Sequence, residues 1–206
     1  MIRDRNIAWQ RKSRFIPAGE ILAGGFADAS GSATGFGTGG PILTEVSSFG
    51  FGVLNINGAG NFFHALDFVT PREMDIEEEI GFRVHYMTLG TVATTDDVTF
   101  IVQYDQVDVG EAVIAAASAL DTPITEHRQG TATTLVTHRT ARGIINAGKF
   151  DETARQGMIH WEVEADAMDY SADELGVLGF EVDYVPRLCF DNGEPFGGLN
   201  KTLAAA

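Results

Sequence analysis

Between Met158 and Ala167 the chain alternates without interruption. Ile159, Trp161, Val163, Ala165 and Ala167 fall on one side; His160, Glu162, Glu164 and Asp166 fall on the other. Successive strand side chains point to opposite faces, so this period of two predicts an antiparallel sheet with one buried and one solvated face. The same period runs through 97–105, where Val98, Phe100, Val102 and Tyr104 alternate with polar neighbours, and through Phe82, Val84 and Tyr86. Strands are predicted at 49–56, 62–69, 80–89, 97–105, 131–138, 157–167 and 177–188. Helical signal is confined to the Ala-rich stretch 109–120 and to single turns at 140–146 or 171–176. Seven or eight strands with few helices predict an all-β fold: an antiparallel, jelly-roll-like β-sandwich with one or two short helices.

A chain of 206 residues is long enough for one well-cored domain, and its 14 Phe residues suit pleated faces. Three regions are expected. Residues 1–41 form an N-terminal basic arm and a Gly-rich extended segment, 42–190 the sandwich, and 191–206 a C-terminal tail. The stretch 23–41 is Gly/Ser/Ala-rich and reads as loop. Cys189 is the lone cysteine, which excludes an intrachain disulfide and a multi-cysteine zinc site. The start lacks the apolar core of a secretion signal, and no apolar run approaches the roughly 18 residues of a membrane span. Synthesis in a reducing cytoplasm is expected.

Charge is unevenly placed. Five of the 14 Lys and Arg residues lie in the first 14 positions, opposed only by Asp4, giving 5 − 1 = +4. The other 192 residues carry 9 basic and 28 acidic side chains, or −19. Such a body repels nucleic acid and anionic membranes, so neither is an expected partner. The arm is expected to dock on an acidic surface of a neighbouring copy or another protein. Its basic residues are Arg3, Arg5, Arg11, Lys12 and Arg14, and Ile7, Trp9 and Phe15 supply apolar anchors. Removing residues 1–15 is expected to leave a folded domain.

No catalytic constellation appears. The row His160, Glu162, Glu164 and Asp166 has the residue types for a divalent cation or a glycosidase carboxylate pair, but the solvated face of any acidic sandwich produces the same row. His64, His85, His127, His138 and His160 contain no His-x-His pair of the kind a cupin metal site needs, so neither metal nor cofactor is expected. Gly35–Gly40 mimics a phosphate loop but meets Pro41 rather than a helix, and no nucleophile elbow occurs. Glu77–Glu79, Asp96–Asp97 and Asp191-Asn192-Gly193 read as solvated turns.

Several segments carry a resemblance: MIRDRNIAWQRKSRFIPAG at the start, Pro71–Asp75, Ile80–His85, Val102–Asp105, and Leu178–Arg187 near the end. Together these resemble small virion proteins of tailed phages, particularly those of aquatic and cyanobacterial hosts. The resemblance implies a jelly-roll capsid decoration (cement) protein on the outer capsid surface of the virion. Its partners would be the major capsid protein and copies of itself, as a trimer, and it would have no catalytic residues. Two other roles stay open: a carbohydrate- or receptor-binding virion module, with Phe36, Phe62, Phe63 or Tyr170 as platforms, and a jelly-roll enzyme using the 160–166 carboxylates.

Overall fold

Trp161 is fully buried between two facing antiparallel sheets, 5.2 Å from the Phe82 ring on one and 6.2 Å from Tyr104 beside it. The computed structural model describes residues 11–23, 42–46, 51–56, 61–89, 97–110, 118–119, 124–127, 136–151, 156–168, 175–187, 190–191 and 194–195. In chain order the strands are β1 (Lys12–Pro17), β2 (Leu22–Ala23), β3 (Ile42–Val46), β4 (Phe51–Ile56), β5 (Asn61–Asp67), β6 (Ile80–Thr88), β7 (Asp97–Val107) and β8 (Ser118–Ala119). They continue with β9 (Ile124–His127), β10 (Val136–Arg139), β11 (Gly143–Ile145), β12 (Met158–Met168), β13 (Leu175–Tyr184), β14 (Phe190–Asp191) and β15 (Glu194–Pro195). A four-residue helix, α1 (Thr70–Glu73), follows β5. The fold is an all-β, jelly-roll-like sandwich. No helix among the described residues is long and apolar enough to cross a membrane.

The first sheet is built around the β6–β13 pair. Each outer edge of that pair is covered by two short strands set end to end. On β6, β10 pairs with His85–Thr88 and β11 with Ile80–Phe82. On β13, β4 pairs with Leu175–Val177, and β1 pairs with Gly179–Tyr184. A register shift between Val177 and Gly179 marks the changeover. The second sheet runs β2-β5-β12-β7-β8, with β9 also on β7. The predicted alternation puts Phe63, Val98, Phe100, Val102, Ile159, Trp161 and Val163 against Phe82, Val84, Val177, Phe180 and Val182 of the first sheet.

Several expectations change. The sandwich does not begin at residue 42: β1 and β2 belong to its two sheets, so the second half of the arm is structural. No helix forms at 140–146, where Gly143–Ile145 instead pairs with β6. Of the predicted helix 109–120, the described ends are a turn at Val109-Gly110 and strand β8; Gly110 has φ +93°, which suits glycine. The pairing of β12 with β7 is regular to Ala165, and a bulge then shifts its register. The predicted strand at 62–69 stops at Asp67. That side chain turns back to accept hydrogen bonds from the Val69 and Thr70 backbone N–H groups and from the Thr70 hydroxyl, fixing the turn that leads into α1.

Candidate functional site

Two clusters stand out, one on each sheet. The first is the seat of the arm. Strand β1 zips antiparallel along β13 from Lys12↔Tyr184 to Pro17↔Gly179. Period two then sends Lys12, Arg14 and Ile16 to one face and Ser13 and Phe15 to the other. Ile16, 1% exposed, joins the core. Arg14 Nη1 sits 2.8 Å from Asp67 Oδ1, a carboxylate with no exposed side-chain surface. Lys12 pairs with Glu73 at 3.1 Å, and the Tyr184 hydroxyl donates to the same Glu73 at 2.6 Å.

On the outer face, Asp183 is a hub for three guanidinium groups. Arg142 meets it as a fork, Nε to Oδ2 at 2.9 Å and Nη2 to Oδ1 at 3.0 Å, and reaches Glu79 at 2.7 Å. Arg83 donates to Oδ2 at 3.0 Å, and Arg11 donates to Oδ1 and, at 2.6 Å, to the Glu79 carbonyl. Gly81, the register partner of Asp183, makes room: a Cβ there would lie 2.1 Å from Arg142 Nε and Asp183 Oδ2. Beside the hub, Glu181 accepts from Ser13 at 2.7 Å and lies 2.8 Å from His85 Nε2. The Phe15 ring meets His85 edge-on and covers Gly179, where a Cβ would lie 2.5 Å from that ring and from the Ile16 carbonyl. His85 is thus partly covered by the arm.

These contacts set charge states. Burial pushes the Asp183 carboxyl up, but hydrogen bonds from Arg142 and Arg11 outweigh it and hold it below its ordinary value. Glu181 is likewise raised by burial and lowered further by Ser13, His85 and Arg83, with a net downward shift. Glu73 is lowered by the Tyr184 hydroxyl and Lys12. A carboxyl with a depressed folded pKa adds stability above its unfolded value and loses it as pH falls through the folded one. Acidification from about pH 4.5 downward is therefore expected to loosen β1 first. Faster amide exchange at residues 12–17 than in β12 at pH 3.5, with protection restored at pH 6, would show it. Uniform loss across both strands would contradict it.

The second cluster lies on the outer face of the second sheet. His160 and Glu162 alternate with core residues on β12, and His64 on β5 is the register partner of Glu162. His64 Nδ1 is 3.0 Å from His160 Nε2, with the rings stacked at 5.2 Å, and 3.8 Å from Glu162 Oε2. The solvated-face expectation fails here: His64, His160 and Glu162 are 6%, 3% and 7% exposed. Burial and then the neighbouring His160 lower the His64 pKa to about 4, so its imidazole is neutral near pH 7. His160 and Glu162, the first two members of the 160–166 row, are thus covered rather than solvated. Glu164 is half-buried, and the Asp166 side chain lies outside the described residues.

Of the predicted arm residues, Arg11, Lys12 and Arg14 find acidic partners within their own chain. The attraction inferred from charge is satisfied in cis for these three. Phe15 stays 48% exposed despite its contact with His85. Arg3, Arg5, Ile7 and Trp9 lie outside the described residues. Among the predicted sugar platforms, Phe63 is fully buried in the core, which removes it; Phe36, Tyr170 and the Phe62 side chain lie outside the described residues. The acceptors Asp67, Glu73, Glu181 and Asp183 were not singled out from sequence. The one available signal was the polar phase of the 177–188 strand, on which Glu181 and Asp183 share a face.

No protein-family model matches the chain, and no curated protein does. Solved structures similar to it include a xylan-binding module of family CBM15 (11% identity, TM-score 0.45, covering 85% of this chain and 97% of that one). A family 35 carbohydrate binding module from Clostridium thermocellum is similar at 11% identity and TM-score 0.44, covering 83% and 97%. The C-terminal CBM6 of a marine laminarinase from Zobellia galactanivorans is similar at 10% identity and TM-score 0.41, covering 83% and 98%.

Proposed function

We propose that this chain is a non-catalytic structural protein of a phage particle, a sandwich that decorates the outer capsid surface and engages it through its N-terminal segment. The observation that supports it is the way the arm is divided. Residues 11–17 are locked to the body by β-pairing and ion pairs, so the preceding segment starts from a fixed anchor. That segment holds Arg3, Arg5, Ile7 and Trp9, with side-chain charge 2 − 1 = +1 once Asp4 is counted. With so little net charge, attachment would depend more on apolar burial than on charge attraction and would resist salt. Phe15, half exposed beside the anchor, extends the apolar surface.

A second reading is a carbohydrate-binding virion module. It is favoured by Phe68, 49% exposed just past β5 and flanked by Leu66 and Val69, themselves 37% and 41% exposed. An accessible aromatic face of this kind can stack on a sugar ring.

Quantitative mass spectrometry of purified particles is expected to find hundreds of copies per head, and removal of residues 1–10 to weaken binding to stripped shells at least tenfold. A handful of copies, or unchanged shell binding, would reject decoration. Glycan-array binding abolished by Phe68→Ala would establish the second reading instead.

A further inference from the structure

We propose that His64, His160 and Glu162 form a binding site for a divalent transition ion of the zinc class, on the outer face of the second sheet. The proposal is independent of the virion reading. Two imidazoles and one carboxylate are a donor set suited to zinc, nickel, cobalt or iron, whereas calcium and magnesium require oxygen ligands. One ligand atom from each residue lies within 4.8 Å of the other two. A tetrahedral ion with bonds of about 2.0–2.1 Å spaces its ligand atoms about 3.3 Å apart. The separations of 3.0 Å between the rings and 3.8 Å from His64 to Glu162 bracket that value. All three side chains rise from paired strands, His64 opposite Glu162 and His160 two residues along, so sheet geometry rather than loop chance brings them together.

Glu162 is the second reason. Its residue is 7% exposed, yet among the described residues its carboxylate has only the His64 ring within ion-pair range, at 3.8 Å and beyond hydrogen-bond distance. A cation coordinated here would give that carboxylate a counter-charge. To take the ion, whichever ring holds the shared proton moves it to its other nitrogen, a tautomer change with no net proton release. Three protein ligands leave at least one position for water.

The test uses the full chain, stripped with chelator and titrated with zinc chloride by calorimetry, and with cobalt(II) by visible absorption. One ion per chain is expected, with a cobalt d–d spectrum of four- or five-coordinate character. Zinc at about 100 times Kd should raise Tm by about 5–10 °C, and calcium or magnesium should leave it unchanged.

Glu162→Gln is close to isosteric and removes the uncompensated charge. The stripped variant should be at least as stable as the stripped wild type, while zinc affinity falls more than tenfold. Glu164→Gln, on the same strand face outside the cluster, should bind as wild type does. Should Glu162→Gln fold poorly without metal, the carboxylate serves the metal-free fold rather than an ion, and the proposal fails. It also fails if zinc binds Glu162→Gln and His160→Gln as tightly as wild type, or if calcium gives the same shift.

Discussion

Removal of residues 1–17 is expected to unfold the chain or drive it into aggregates, whereas removal of residues 1–10 should move Tm by less than about 2 °C. The described anchoring contacts begin at Arg11. The longer deletion strips Ile16 from the core, where truncation of such a residue alone costs about 2–5 kcal/mol. It takes Arg14 from buried Asp67 and Arg11 from Asp183. It also bares the β13 edge from Gly179 to Tyr184, a row of unpaired backbone groups ready to pair with another chain. Against a total stability of roughly 5–15 kcal/mol, these losses are comparable to the whole. Removal of residues 1–15 alone, expected from sequence to leave a folded domain, would keep Ile16 but lose the Arg11, Lys12 and Arg14 ion pairs. Calorimetry and size-exclusion chromatography of the two truncations check it, and a soluble, monomeric product of the longer deletion with wild-type Tm would show β1 to be an ornament.

The reason β1 escaped sequence reading is physical. A half-buried strand is recognised by apolar residues facing in and polar ones facing out, and β1 inverts that rule. Lys12 and Arg14 share the inward face with Ile16 because Glu73 and Asp67 wait there, while Phe15 faces out over His85. Where the rule holds, as in β7, sequence and structure coincide. The metal-type cluster was hidden differently. His160 and Glu162 were legible as neighbours on one strand face, but His64 lies 96 residues away and joins them only through the β5–β12 register. That register depends on which strands pair, which alternation alone does not encode. Their burial was equally illegible, since period two separates two faces without saying which is covered.

Arg14→Ala is expected to cost about 3–5 kcal/mol, a fall in Tm of roughly 6–20 °C, because it leaves a buried carboxylate without its counter-charge. Asp67 keeps hydrogen bonds from the Val69 and Thr70 backbone and from the Thr70 hydroxyl, and these hold it in place while its charge stays uncompensated. Asp67→Asn should cost less. The amide oxygen can still accept both backbone bonds, and Arg14, with 23% of its side chain exposed, retains some access to water. The double variant Arg14→Ala/Asp67→Asn should recover part of the loss of Arg14→Ala, since no buried charge then remains. A thermodynamic cycle over the four proteins should give a coupling of about 2 kcal/mol or more, well above the roughly 0.2–1 kcal/mol of exposed pairs. A coupling below 0.5 kcal/mol, on the order of measurement error for independent sites, would mean that the Arg14–Asp67 pair does not help to hold β1.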